Sequence, residues 1–254
     1  MFKFEETGTT INRGFSALIY ADPGIGKTTL STTLPPGETL FINTEAGLGP
    51  LLGTKHVVFN LQQSVTDLCK FEELVRYLKG QDHPFKNVVI DNISELEQWI
   101  ILTLTQQRKK EFTEVKEYGD SAYKMREYIR DYRDLVYNGI NVIFNAWEAP
   151  IEIKNSNGEI ITKTFPKMAK KVAPEICGLV DMVGHLEVYE KTGERWLRFG
   201  PSTQYITKCQ FKGLDAGEPA NLPAIFKKIR DKNSDVPGPA KRTPKLPEQG
   251  TLPV

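Results

Sequence analysis

The amino-acid sequence predicts an α/β domain, with a mostly parallel central sheet flanked by helices and followed by C-terminal β-hairpins. Three observations predict it. The apolar run Phe15-Ser16-Ala17-Leu18-Ile19-Tyr20 turns through glycines directly into a helix start at Lys27-Thr28. Beyond it, short apolar runs alternate with stretches whose apolar residues recur at helical spacing, and strands that alternate with helices pair in parallel through right-handed crossovers. After residue 150 the helical spacing gives way to strand, turn and strand.

Each element follows from its residues. Ala21-Asp22-Pro23-Gly24-Ile25-Gly26-Lys27-Thr28, leading into Thr29-Leu30-Ser31, has the glycine turn and the Lys-Thr helix opening of a P-loop. Thr39-Leu40-Phe41-Ile42-Asn43 reads as a buried strand. Ser64 caps a helix whose apolar positions are Leu68, Phe71, Leu74, Val75 and Leu78, with Asp67 three residues after the cap and Gly80 as the stop,. Val88-Val89-Ile90 is the next strand, and Ser94 opens a helix with Leu96, Trp99, Ile100 and Leu104 on one face. Met125, Tyr128, Ile129, Tyr132 and Val136 lie in register on another helix, which ends at Asn138-Gly139 before the strand Ile140-Asn141-Val142-Ile143-Phe144,.

Two hairpins complete the domain. Residues 151–154 and 159–162 flank the turn Asn155-Ser156-Asn157-Gly158, and this pair is polar enough to project from the body,. Residues 185–189 and 195–199 flank a Thr192-Gly193 turn, and this pair is apolar enough to extend the sheet. From Asp231 onward five prolines interrupt a polar stretch with hardly any apolar residues. The expected organisation is therefore one domain over residues 1–230 and a disordered tail over 231–254.

Composition narrows the function. The formal net charge of the 254 residues is +1, so nucleic-acid contact requires a local patch rather than bulk charge,. Cys69, Cys177 and Cys209 are far apart and form no C-x-x-C pair, which fits free thiols in a reducing cytoplasm,. The start, Met1-Phe2-Lys3-Phe4-Glu5-Glu6, has no signal-peptide core, and the apolar run at Trp99-Ile100-Ile101-Leu102 is far too short to span a bilayer,. The expectation is a cytoplasmic protein without a membrane.

The chemistry starts at the P-loop. Backbone N–H groups from Asp22 to Thr29 cradle phosphate oxygens, Lys27 reaches the β- and γ-phosphates, and the Thr28 hydroxyl sits on Mg²⁺. The pattern departs from its usual form in beginning with Ala21 in place of glycine. Asp91 ends a buried strand, where a Walker B carboxylate holds Mg²⁺ through water; a helix-capping role is the competing reading. Asn92 follows, where ATPases of the AAA+ type place a glutamate that orients water. Glu45 instead lies off the end of the second strand, and neighbouring strand ends in a parallel sheet open on one crevice, so it can reach a water in line with the γ-phosphate. Asn145, ending a later strand at the same edge, can sense that phosphate; a plain cap is the alternative.

In this order of motifs the chain resembles the RecA-like recombinase core, a P-loop NTPase fold. The Ala-Asp-Pro-Gly-Ile-Gly-Lys-Thr-Thr loop and the short length look most like phage-encoded nucleotide-binding proteins of that class, the RecA-core single-strand annealing proteins. The resemblance implies ATP bound between adjacent protomers of a ring or filament, and DNA loops after the third and fourth strands. The second loop would be residues 146–172, which carry an excess of two positive charges. Lys163 and Lys167 would serve phosphates there, with Trp147 and Phe165 as stacking faces. A solvated basic hairpin explains the same composition. Arg108-Lys109-Lys110 fall at the first loop, where a solvated helix end serves equally well. Lys208, Lys170 and Lys171 are candidates for a cation given in trans to a neighbour's γ-phosphate, although Lys208-Cys209-Gln210 lacks the arginine of the Lys-Asp-Arg often found in the family.

The expected function is Mg²⁺-dependent ATP binding and hydrolysis by a homo-oligomer on single-stranded DNA, in phage recombination by annealing or strand exchange. A partner protein could be met through the tail. The alternatives are a small-molecule P-loop kinase, for which Arg126, Arg130 and Arg133 would have to form a lid, and a nucleotide-switched helicase loader or adaptor.

Overall fold

The computed structural model describes residues 13–45, 47, 49–61, 64–110, 112–154 and 157–234. β1 (Ser16–Tyr20) leads through the P-loop into α1 (Lys27–Ser31), and β2 (Thr39–Asn43) and β3 (Val57–Asn60) follow. α2 (Val65–Gly80) begins at Ser64, whose side chain accepts the Asp67 N–H as expected. β4 (Asn87–Asp91), α3 (Ile93–Gln107), α4 (Val115–Arg133) and β5 (Asn141–Ala146) complete the alternating part. Then come β6 (Glu148–Lys154), β7 (Ile160–Pro166), α5 (Val172–Leu179), β8 (Met182–Val188), β9 (Arg195–Arg198), β10 (Lys208–Cys209), β11 (Gly217–Pro219) and α6 (Leu222–Ser234).

Nine of the described strands form one sheet in the order β11-β9-β8-β1-β5-β4-β2-β3, with β10 beside β8. The pairings from β8 through β1, β5, β4 and β2 to β3 are all parallel, and β9, β10 and β11 add antiparallel partners. The α/β architecture with a mostly parallel, helix-flanked sheet is thus the expected one. β1, β2, β4 and β5 are buried on both faces, which is why their sequences read as continuous apolar runs,. Leu18, Leu40, Ile42, Val88, Ile90, Val142 and Phe144 point into the larger core under α2 to α5, whereas Ala17, Ile19, Phe41, Val89 and Ile143 point into the smaller one under α1 and α6. Successive strand side chains alternate faces, so one apolar run feeds two cores.

The structure differs from the sequence expectation at several elements. β3 was not anticipated; it is a half-exposed edge strand of four residues with no apolar alternation to reveal it. α3 is capped by Asn92, whose side chain accepts the Glu95 N–H, and not by Ser94, which lies inside the helix. α6 runs through Ser234, past the expected tail onset at Asp231, because Leu222, Ile225, Phe226 and Ile229 bury one helical face. Residues 235–254 of that tail, residues 155–156 of the polar hairpin turn and residues 1–12 lie outside the described residues. The polar hairpin, β6–β7, is a separate two-stranded sheet, while β8–β9 extends the main sheet as expected.

Candidate nucleotide site

Register brings the site together. Asn43 pairs with Asp91, Asp91 with Asn145, and Asn145 with Ile19, so the ends of β2, β4, β5 and β1 form one row at the carboxyl edge of the sheet. In an open α/β sheet the ligand crevice lies just beyond such a row.

The P-loop leaves β1 at Ala21 and turns at Gly24 (φ 83°) and Gly26 (φ 107°), values that L side chains rarely adopt,. Asp22, Pro23, Gly24 and Thr29 are exposed, and Ile25, Gly26 and Thr28 are half-buried. The Leu30 N–H returns to the Gly26 carbonyl at 2.8 Å, and since Pro23 has no N–H, the backbone donors of the loop are those of Asp22 and of residues 24–29. Donors grouped in a glycine turn fit phosphate oxygens. Lys27 is buried, and its Nζ donates to the carbonyls of Ala21 and Asp22, each at 2.9 Å. Burial pulls its ammonium below the ordinary lysine range, an effect offset by the nearby carboxylates of Asp91, Glu45, Glu148 and Asp22.

Thr28 Oγ1 donates to Asp91 Oδ2 at 2.6 Å, and Asn145 Nδ2 donates to Asp91 Oδ1 at 3.1 Å. Burial raises the Asp91 carboxyl above its usual range, and the bonds from Thr28 and Asn145 oppose that rise. A hydroxyl and a carboxylate converging at the mouth of the loop are the oxygen donors a hard divalent cation takes, so the pair fits Mg²⁺. No cluster of three or more His, Cys, Asp or Glu side chains able to hold a metal occurs among the described residues.

Glu45 stands at the same edge, half-buried, and its Oε1 accepts from Asn92 Nδ2. Burial first, and then the negative charge of Asp91, raises its carboxyl above the ordinary glutamate range. Asn92 therefore does two jobs. Its Oδ1 caps α3 and its Nδ2 orients Glu45. Thr44 secures the same turn, donating Oγ1 to the Asn92 carbonyl at 2.7 Å. Sequence reading noticed Asn92 only as the place of a missing glutamate.

Asn145 is fully buried and faces Asp91 and Ser31, its Nδ2 lying 3.2 Å from Ser31 Oγ. Its Oδ1 is buried with no hydrogen-bond partner in the structure.

The hairpin after Asn145 is tied to the site at its root. Ser94 Oγ accepts the Trp147 N–H at 3.0 Å, Glu97 accepts the Ala169 N–H, and Tyr20 at the end of β1 donates its hydroxyl to the Thr164 carbonyl at 3.1 Å. His185 Nε2 lies 2.7 Å from Glu148 Oε2, with the Tyr205 ring stacked on the imidazole.

Other expected site residues fall differently. Phe165 is buried at 3% exposure in the larger core, so it is not a stacking face for a base. Trp147 is half-buried with the Lys167 ammonium 5.0 Å above its ring. Lys163 Nζ donates to the Ser202 carbonyl, whereas Lys170 and Lys171 are exposed. Lys208 turns inward: its Nζ bonds the carbonyls of Gly178 at 2.8 Å and Val180 at 2.7 Å at the end of α5. An ammonium so engaged is not presented to a neighbour, which corrects the expectation of a cation in trans at this position. Arg108 and Lys110 pair with Glu117, Asp120 and Glu114, the network of a solvated helix end. Arg126 pairs with Glu175 and Arg133 with Asp134, so neither belongs to a phosphate lid. Cys69, Cys177 and Cys209 are free thiols, and among the described residues no helix is long and apolar enough to cross a membrane.

A protein-family model described as an AAA domain matches residues 13–211. No curated protein matches the chain. Among solved structures, the RadB recombinase aligns over 73% of this chain and 80% of its own at 15% identity, with a TM-score of 0.44. A KaiC-like protein from the archaeon Pyrococcus horikoshii OT3 aligns over 73% of this chain and 78% of its own at 16% identity, with a TM-score of 0.43.

Proposed function

The chain belongs to the AAA domain family, and from that premise we propose that it binds and hydrolyses ATP with Mg²⁺ and acts on single-stranded DNA as a homo-oligomer, in annealing or strand exchange. The observation that carries the reading is the convergence of Glu45, Asp91 and Asn145 on the P-loop from three adjacent strands. Lys27 gives its ammonium to the β- and γ-phosphates in exchange for the two loop carbonyls it now holds. Glu45, fixed by Asn92, accepts a proton from the attacking water. Mg²⁺ held by Thr28 and Asp91 would supply charge neutralisation on those phosphates. Asn145 and Ser94 extend the site to the root of β6–β7, whose exposed Lys167, Lys170 and Lys171 suit a phosphate backbone, with Trp147 beside them. Lys170 and Lys171 also remain candidates for a cation given in trans.

Phosphate release with and without single-stranded DNA, for the wild type and Glu45→Gln, tests the reading. Glu45→Gln is expected to keep ATP bound while slowing turnover about 10²-fold or more, the usual worth of a positioned base. The wild-type rate is expected to rise with DNA. Normal turnover indifferent to DNA would favour the kinase alternative, and bound nucleotide without turnover the loader or adaptor.

A further inference from the structure

Arg195 opens β9, far from the P-loop in sequence, and its side chain reaches that loop. Its Nε donates to the Ile25 carbonyl at 2.7 Å. A Cβ built on Gly26 would lie 2.6 Å from Arg195 Nε and 3.2 Å from Cζ, so the guanidinium fills the space that any other residue at position 26 would occupy. Gly26 is thus required twice, for its φ of 107° and for this close approach.

Arg13, Arg108, Arg126, Arg133 and Arg198 each close on a carboxylate. Arg195 closes on none, and its two terminal nitrogens have no hydrogen-bond partner among the described residues. A guanidinium anchored through Nε keeps a planar fork of donors, the shape that matches phosphate oxygens two at a time. Here the anchor is the phosphate loop itself.

We infer that Arg195 is a cis-acting cation of the nucleotide site, its terminal nitrogens bonding the phosphates of a bound nucleoside di- or triphosphate while Nε stays on Ile25. The inference rests on the ATP-binding reading above. It places a second positive charge of the same chain beside Lys27, and it makes the β8–β9 hairpin one wall of the site. A lysine at this position would keep the charge and lose both the anchor and the fork.

The test is competition binding on the full chain. A fluorescent ADP is displaced by a non-hydrolysable ATP analogue or by inorganic tripolyphosphate, with Mg²⁺, for the wild type, Arg195→Ala, Arg195→Lys and Lys27→Ala. Arg195→Ala is expected to weaken the ATP analogue and tripolyphosphate alike by about 10- to 100-fold, the loss of hydrogen bonds to a charged group, and Arg195→Lys to recover only part. Equal affinities in wild type and Arg195→Ala, or a loss for the nucleotide that tripolyphosphate does not share, overturns the assignment while leaving the P-loop reading in place. A wild type that binds no nucleotide, or a Lys27→Ala that binds as well as the wild type, overturns both.

Discussion

Glu97 sits on α3, one turn beyond the Asn92 cap, and its carboxylate accepts the Ala169 N–H at 2.9 and 3.1 Å where the β6–β7 hairpin returns to the body. It is buried, and burial pushes its carboxyl from the ordinary 4.5 up to about 7, against the pull of the Ala169 bond. A group whose folded-state value is raised gives up its proton more readily when the chain is unfolded. Between pH 4.5 and about 7 the unfolded chain therefore binds fewer protons than the folded one, and stability falls as pH rises through that window,. At 1.36 kcal/mol per pH unit, the fall attributable to Glu97 is at most about 3 kcal/mol. Glu97→Gln keeps an oxygen for the Ala169 N–H and removes the ionisation. Urea denaturation of both proteins from pH 4 to pH 8 measures the difference. The stability of the variant relative to the wild type is expected to climb across the window and then level off. Parallel stability curves would refute the reasoning, because they would mean that Glu97 ionises at its ordinary value and that its burial is relieved by water.

Five further outcomes are expected. Lys27→Ala should fold normally, since the ammonium bonds only loop carbonyls, and should lose Mg-nucleotide affinity in a calorimetric titration. Asn92→Ala should cost about 1 kcal/mol of stability through the lost α3 cap and should also slow phosphate release, because Glu45 loses its orienting partner; normal turnover would remove Glu45 from the site. Replacing Lys167, Lys170 and Lys171 together by Ala should flatten the salt dependence of single-stranded DNA binding, from a log–log slope of roughly −2 for three contacts. Phe165→Ala should instead destabilise the fold by about 3–5 kcal/mol, whereas Trp147→Ala should cost on the order of 1–3 kcal/mol of DNA affinity with the slope unchanged.

The sequence by itself determined what is local or periodic. The P-loop is contiguous, so its glycines, Lys27 and Thr28 announce their geometry without any partner. β1, β2, β4 and β5 are buried on both faces and must be apolar throughout, and α2 shows its buried face at helical spacing with Ser64 in place as its cap. Even Asp91 and Glu45 were legible, because the end of a buried parallel strand has only one crevice to face.

Tertiary structure decided everything that depends on which neighbour a side chain meets. Periodicity says that Phe165 is on one face of a strand, and only the packing of β7 against the body made that face the core. Lys208 carries no signal of its own, but β10 runs beside β8 and the end of α5 leaves carbonyls that its ammonium satisfies. Asn92 became a cap and a clamp because Glu45 and Glu95 approach it from opposite sides. Arg195 reached Ile25 because β8 pairs with both β1 and β9, which brings residues distant in the chain to one loop. Local sequence fixes backbone shape and burial; the order of strands in the sheet, set by the packing of the whole chain, fixes which charges and dipoles converge on the phosphate cradle.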